Sequence, residues 1–324
     1  MGIRVESPGL LTTVQDAGRF GKYDIGMPPS GAMDLFSYEV GNYLVGNAPD
    51  AAALEMTYLG PSLEFTSPAV IAVTGADMPP RINGEEAATW EVLSVEEGDV
   101  LSFDYLKAGA RSYLAVAGGI DVPPFLGSRS TYTLIGLGGH EGRALAEGDE
   151  LPVGDSVDGA DRVGKSVEAG HIPAFSGAEE IRVIVGLCSY RLTGESLEGF
   201  LNTDWTVTPD ANRTGYRMRG GEIEFVEREQ PAGAGSDPAN VVDLGYPVGS
   251  IQVPGGVEPI VLMNDAVTGG GYATIGTVIS VDRDRLAQTK TNDTTRFRSV
   301  TLEEALDARR ARQRQLREIH ESLG

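Results

Sequence analysis

Four stretches of this sequence set polar side chains between glycines and prolines, and these are the places where it could do chemistry. The first, TVQDAGRFGKYDIGMPPSGAMD from Thr13 to Asp34, gathers Gln15, Asp16, Arg19, Ser30 and Asp34 ahead of an apolar segment with helical spacing. Ser30 or Asp34 can cap that helix, or the free amide groups at its N-terminus can face an anion. The second reads LGSRSTYT and then GGHEGRAL. Its Arg129, Ser130, Thr131, His140 and Arg143 are donors beside glycines, suited to gripping a carboxylate or the oxygen of an amide or ureido group. Ion pairs with the protein's own carboxylates are the plainer use of the same arginines.

The third stretch is ANRTGYRMRGG, in which Arg213, Arg217 and Arg219 alternate. On a strand they would share one face, with Tyr216 and Met218 on the other, and the arginine face would suit an anionic substrate or an acidic partner. The fourth is GSIQVPGGVEPIVLMNDAVTGGGYATIG. Two strands joined at Pro254-Gly255-Gly256 would bring Gln252 near Asn264, Asp265, Thr268 and Tyr272, and three consecutive glycines let a backbone or ligand come close. Asp265, directly after a strongly apolar strand, is a candidate general base or amide anchor, with a capped turn as the plainer reading.

Several standard sites are missing. There is no G-x-x-x-x-G-K-[ST] phosphate loop, no G-x-G-x-x-G fingerprint after a strand and no G-x-S-x-G elbow. His140, His171 and His320 are scattered without metal-ligand spacing, and the lone Cys188 sits in the apolar run IRVIVGLC, where a buried thiol is expected. No metal and no covalently bound cofactor is expected.

The elements that must position these residues read as short strands. Glycine is abundant (43 residues), and turn signals recur roughly every eight to twelve residues, the pattern of barrels or sandwiches. A first helix is expected over 33–45, a hairpin at Asn83-Gly84, and a closing helix after the capping box Thr301/Glu304. The highly charged end of that helix reads as a solvated face. The small, polar stretch between Pro152 and Gly177 is the best boundary. The expected domains are 1–153 and 179–324 with the C-terminal helix, joined by a linker over 154–178, the N-terminal segment being free to pack on the second domain. Strands running into glycines in both halves (YLAVAGG, IVLMNDAVTGGG) hint at two units of related design.

Net charge is -21, and of 26 basic residues only Lys22, Lys107, Lys165 and Lys290 are lysines. Such a surface repels phosphate backbones and anionic lipid, so neither nucleic acid nor membrane is an expected partner. The same balance suits a halophilic setting, where salt screens the repulsion. No apolar run is long enough to span a bilayer, and MGIRVESPGL lacks a basic segment followed by an apolar one, so a cytoplasmic location is expected.

Taken together and in order, GLLTTVQDAGRFG, PPSGAMD, GGIDVPPFLGSRST, GGHEGRALAEGD, NRTGYR, IQVP, TGGGY and RFRSV resemble the family of the 5-oxoprolinase C subunit, or biotin-dependent carboxyltransferase family, also labelled allophanate hydrolase subunit 2. An antagonist of a sporulation kinase inhibitor is similar to it as well. The resemblance covers nearly the whole chain. It implies a mainly β protein with two tandem cyclophilin-like β-barrel domains and a few short helices. It implies two partners in ATP-dependent opening of 5-oxoproline (pyroglutamate) to glutamate: the 5-oxoprolinase B subunit, which is a cyclophilin-like paralogue, and the A subunit. ATP would be used by the complex, and a homo-oligomer is compatible with it.

Two alternatives stay open: a module carrying a carboxyl group from carboxybiotin to a small amide, as in urea carboxylases, and a non-catalytic regulator that binds a homologue of the B subunit. The chain lacks the A/V-M-K-M signature, so biotin would come in trans. On this resemblance Gln252, Asp265 and Thr268 hold the amide and move protons. Arg213, Arg217 and Tyr272 complete the substrate pocket, with Arg129, Ser130, His140 and Arg143 from the first domain facing it. Replacing Asp265 by Ala is expected to abolish turnover without unfolding. The chain departs from relatives at Asp243-Leu244-Gly245, where S-E-G is common, in the short turn PGGVEP, and at Val267, which stands where a glutamine is usual.

Overall fold

A computed structural model describes residues 2–155 and 160–324, so positions 156–159 of the expected linker lie outside the described residues. The chain divides into two compact units, one comprising the residues up to Arg19 with 30–174 and 313–324, the other 20–29 with 175–312.

In the first unit the strands are β1 (Gly2–Ser7), β2 (Leu11–Gln15), β3 (Ala53–Thr57), β4 (Ser62–Phe65), β5 (Ala69–Asp77), β6 (Pro80–Ile82), β7 (Glu85–Glu86), β8 (Val92–Val95), β9 (Val100–Phe103), β10 (Ala108–Val116) and β11 (Glu150–Pro152). They form a six-stranded sheet in the order β11-β1-β4-β9-β6-β7 and a five-stranded sheet in the order β2-β3-β10-β5-β8. The period of two sends Ile3, Val5, Leu63, Phe65 and Leu101 of one sheet and Leu54, Met56, Val73 and Leu114 of the other into one shared core. Strands β3 and β10 are buried on both faces, because the helix α1 (Leu35–Leu44) covers the far side of the five-stranded sheet with Phe36, Val40 and Leu44. That accounts for their unbroken apolar look in sequence. The hairpin at Asn83-Gly84 is present, with φ of 54° and 83° between β6 and β7.

The expected boundaries differ at two places. Residues 160–174 belong to the first unit and do not form a linker: the Val92 N–H donates to the Lys165 carbonyl, the Val167 N–H donates to the Trp90 carbonyl, and Val167 is buried beside Trp90. The C-terminal helix α4 (Leu302–Leu323), opened by Thr301 and Glu304 as expected, is counted with the second unit only up to Arg312. Its end is not uniformly solvated. Ile319 and Leu323, one helical turn apart, are buried in the first unit's core, and the Lys165 ammonium donates to the Leu323 carbonyl at 2.6 Å. An i, i+4 apolar pair inside a run of charges is a weak signal, easily lost beneath the charge count.

The second unit holds β12 (Ala178–Val185), α2 (Gly194–Asn202), β13 (Asp204–Ala211), β14 (Gly215–Arg219), β15 (Asn240–Gly245), β16 (Ser250–Gln252), β17 (Ile260–Leu262), β18 (Gly269–Tyr272), β19 (Thr274–Val278), α3 (Arg283–Ala287) and β20 (Thr294–Ser299). Seven of its strands close a barrel in the order β12-β19-β16-β17-β14-β13-β20, while β15 and β18 pair as a separate ribbon. Trp205, Tyr216, Phe200 and Phe297 are the unit's largest fully buried side chains, the two phenylalanine rings stacked with centroids 4.8 Å apart.

Candidate functional site

Strand β14 shows why the arginine motif matters. Alternation turns Tyr216 and Met218 into the barrel, and leaves Arg217 half-buried and Arg219 exposed on the outside. Neighbouring strands pair Arg217 and Gln252 with the same residue, Ile260, so guanidinium and carboxamide come to one place. They line a cleft of about 420 Å³ with Asp210, Asn212 and the apolar side chains of Ile260, Leu262 and Val267. Asn212 shapes its rim, its Oδ1 accepting from the N–H groups of Thr214 (2.8 Å) and Gly215 (3.2 Å). Glu258 steadies the arginines, accepting from Arg217 at 3.3 Å and from Arg219 at 3.5 Å.

Arg213 and Asp265 play a different part. Arg213 precedes the strand and is buried. Its Nε donates to one Asp265 carboxylate oxygen at 2.8 Å and its Nη2 to the other at 3.2 Å, while the Asp265 N–H donates to the Arg213 carbonyl at 2.9 Å. With exposures of 4% and 3%, the pair clamps the 263–268 loop to the loop before β14 and defines one side of the cleft's frame. Thr268 contributes its carbonyl, which accepts from the Tyr246 N–H at 2.9 Å. Tyr272 lines a second hollow beside the ribbon, and the Tyr246 hydroxyl ties into its backbone, donating to the carbonyl (2.8 Å) and accepting from the N–H (2.7 Å). Burial pushes the Tyr246 phenol up, against hydrogen bonds from Tyr272 and Gln252 that pull it down. Of the expected pocket residues, then, Arg217 and Gln252 meet in the cleft, and Arg213 and Asp265 brace it.

In the first unit the first and second motifs do meet, but chiefly to hold each other. Asp16 Oδ1 accepts from Ser128 Oγ (2.7 Å), Ser130 Oγ (2.5 Å) and the Gly18 N–H (2.9 Å), and Oδ2 accepts from the Arg129 N–H (2.5 Å). Arg19 donates to the carbonyls of Phe125 and Ser130, and Gln15 donates to Thr13 and to the Thr131 carbonyl. Asp34 caps α1, accepting from the Ser37 N–H at 3.0 Å, so its own carboxylate fills the place where an outside anion would sit. Ser30 is buried with φ of 52°.

The side chains of Arg129 and Arg143 are engaged likewise. Arg129 donates to the Val122 carbonyl and Asp121, and Arg143 grips Asp149 through two bonds of 2.7 and 2.8 Å, with His140 Nε2 at 3.5 Å from the same carboxylate. The guanidinium of Arg143 holds the Asp149 carboxyl well below the usual range. The plainer ion-pair reading of these arginines is the one the geometry supports.

One cluster escapes a reading of motifs. Glu55 is 1% exposed, and its Oε2 accepts from the Tyr113 hydroxyl (2.8 Å) and the Met33 N–H (2.8 Å), with Arg111 3.8 Å from the other oxygen. The Tyr113 hydroxyl in turn accepts from the Asp34 N–H at 2.8 Å, and burial pushes that phenol well up. The only signal in sequence is a glutamate in the middle of the apolar strand ALEMT. Among the described residues no three His, Cys, Asp or Glu side chains are grouped to hold a metal, and no described helix is long and apolar enough to cross a membrane.

The family described as carboxyltransferase domain, subdomain A and B, matches residues 25–299. This chain belongs to that family. It is 36% identical to the C subunit of 5-oxoprolinase from Escherichia coli (strain K12) over 98% of its own length and 97% of that protein's. It is 34% identical to the urea amidolyase of Saccharomyces cerevisiae over 93% of its length, but spans only 17% of that longer chain. The crystal structure of the Kluyveromyces lactis urea carboxylase superposes with a TM-score of 0.93 at 32% identity, covering 98% of this chain and 29% of that one. The expected mainly β fold with a C-terminal helix thus agrees with both the elements and the superposition.

Proposed function

We propose that the chain is the C subunit of an ATP-dependent 5-oxoprolinase, opening 5-oxo-L-proline to L-glutamate together with the A and B subunits and inactive alone. The observation that carries this reading is the cleft where Arg217 stands with Gln252. A guanidinium beside a carboxamide complements a molecule bearing a carboxylate and a lactam amide, and the apolar walls suit its ring methylenes. Similarity to the Escherichia coli protein along nearly the full length of both chains supports the same assignment. Within it, Arg217 holds the carboxylate, Gln252 exchanges hydrogen bonds with the lactam, and the Arg213–Asp265 pair keeps both in place. ATP belongs to the complex.

The test is reconstitution with its neighbouring gene products and an assay of glutamate release from 5-oxoproline and ATP. Turnover is expected only when all three proteins are present. In that complex Arg217→Ala should raise KM for 5-oxoproline by about 10–100-fold, the worth of a charge-assisted hydrogen bond, with an unchanged unfolding midpoint. An unaltered KM would remove Arg217 from the site.

A second reading is favoured by the superposition on a urea carboxylase: a module passing a carboxyl group from carboxybiotin, supplied in trans, to a small amide. Avidin-sensitive turnover would select it. Stable pairing with the B subunit, without turnover under any condition, would leave a regulatory protein instead.

The same reading sets the protein in the cytosol, and its -21 charge in a salty one. The unfolding midpoint is expected to fall as KCl is lowered from molar to about 0.1 M, as the Debye length lengthens and carboxylate repulsion returns. A midpoint independent of salt would rule out halophilic adaptation.

A further inference from the structure

Acidic residues outnumber basic ones 47 to 26 in this chain, and most arginines of the second unit have found a carboxylate. Arg182 pairs with Asp282, Arg285 with Glu179, Arg296 with Asp204, Arg298 with Glu180, and Arg312 with Asp284. Where there is no carboxylate, Arg191 uses backbone carbonyls and Arg228 lies over the Tyr190 ring. Arg283 and Arg309 are the exceptions. Among the described residues Arg283 has one hydrogen bond, from its Nε to the Ser280 carbonyl at 3.3 Å, and Arg309 makes neither a hydrogen bond nor an ion pair.

Both arginines line one cleft of about 260 Å³ between the first half of α4 and the barrel. Leu302, Ala305, Leu306 and Arg309 follow one another at helical spacing, so an apolar stripe on α4 runs directly to a guanidinium. Val248 and Ile279 of the barrel side complete the apolar wall, and Leu302 and Leu306 stand 63% and 40% exposed. Burial, with some repulsion from Arg309, pushes the Arg283 guanidinium down, although Asp284 and Tyr23 pull it the other way. Two like charges face an apolar hollow, and among the described residues neither guanidinium holds a counter-charge in an ion pair. A carboxylate would supply it, accepting two parallel N–H bonds from a guanidinium, and an aliphatic tail would cover the leucines.

We infer that this cleft is a second ligand site, taking a small monocarboxylate with a short aliphatic tail, its head on Arg283 and Arg309 and its tail on Val248, Ile279, Leu302 and Leu306. It is separate from the Arg217 cleft and does not depend on the 5-oxoprolinase reading.

Titration calorimetry of the full chain with acetate, butyrate, hexanoate and inorganic phosphate tests it. Affinity should rise about fourfold for each methylene between acetate and butyrate, following burial of apolar surface. Phosphate should bind more weakly than butyrate. Arg309→Gln should weaken butyrate binding at least about tenfold while leaving the unfolding midpoint unchanged, because that side chain is exposed and unpaired. Arg217→Ala should leave butyrate binding intact. The assignment is overturned by absence of binding, by equal affinity for acetate and hexanoate, by phosphate binding at least as tightly as butyrate, by an unaffected Arg309→Gln variant, or by butyrate binding that is lost with Arg217→Ala.

Discussion

Asp265→Ala is expected to destabilise the second unit by about 3–5 kcal/mol, a larger effect than loss of a single surface contact could produce. The reason lies in what it leaves behind. Arg213 is 4% exposed and gives two of its N–H groups to the Asp265 carboxylate, so truncation takes a two-pronged, charge-assisted partner away from a buried guanidinium. The loop carrying Asp265 is also hydrogen-bonded to the Arg213 backbone, so the edge of the Arg217–Gln252 cleft should loosen as the pair breaks. Activity would then fall because the cleft is no longer framed, which departs from the expectation that this substitution silences turnover without touching the fold.

The check is chemical denaturation followed on Trp205, in a Trp90→Phe background so that the second unit alone reports. A double variant lacking both Arg213 and Asp265 should recover part of the loss, since the buried guanidinium is then removed together with its carboxylate. A single variant with an unfolding free energy within about 0.5 kcal/mol of wild type would show that the pair carries no structural weight.

Asp16→Ala is the matching expectation for the first unit, with a cost of about 3–5 kcal/mol. Four donors converge on this one carboxylate: two serine hydroxyls, the Gly18 N–H and the Arg129 N–H. Its removal leaves them facing a hole in a part-buried setting, and frees the 125–131 loop from the end of β2. Denaturation read on Trp90 in a Trp205→Phe background would measure the loss, and hydrogen exchange at Ser128–Thr131 should quicken in parallel. Asp16→Asn, which keeps one acceptor oxygen, should recover part of the loss. If Asp16→Ala proved as stable as wild type while ligand binding collapsed, the loop would have to be assigned to substrate after all.

These two carboxylates show where reading motifs succeeds and where it stops. Asp16, Ser130 and Arg129 stand out in sequence because glycines flank them, and the same spacing serves a ligand loop or a self-satisfied turn. Only the distances separate the two, because both carboxylate oxygens of Asp16 are taken by donors more than a hundred residues away or in its own turn. Glu55 shows the converse. Its strand has the apolar look of a core element, and nothing local tells that the Tyr113 hydroxyl and the Met33 amide converge on it across the sheet.

By itself the sequence determined the strand-rich class, the Asn83-Gly84 hairpin, the first helix, the Thr301/Glu304 helix start and the family. Each rests on local propensity, on a two- or four-residue period, or on a run of motifs in order, none of which needs a distant neighbour. Tertiary structure alone decided that Arg217 and Gln252 share a cleft, that Arg213 and Asp265 grip each other, and that Ile319 and Leu323 are core residues. It also left Arg283 and Arg309 without the carboxylate that most other arginines of their unit obtain. The physical reason is common to all of these. A guanidinium or a carboxylate has the same range of uses wherever it stands, and which one it exercises is fixed by burial and by the partner that the folded chain brings within three ångströms.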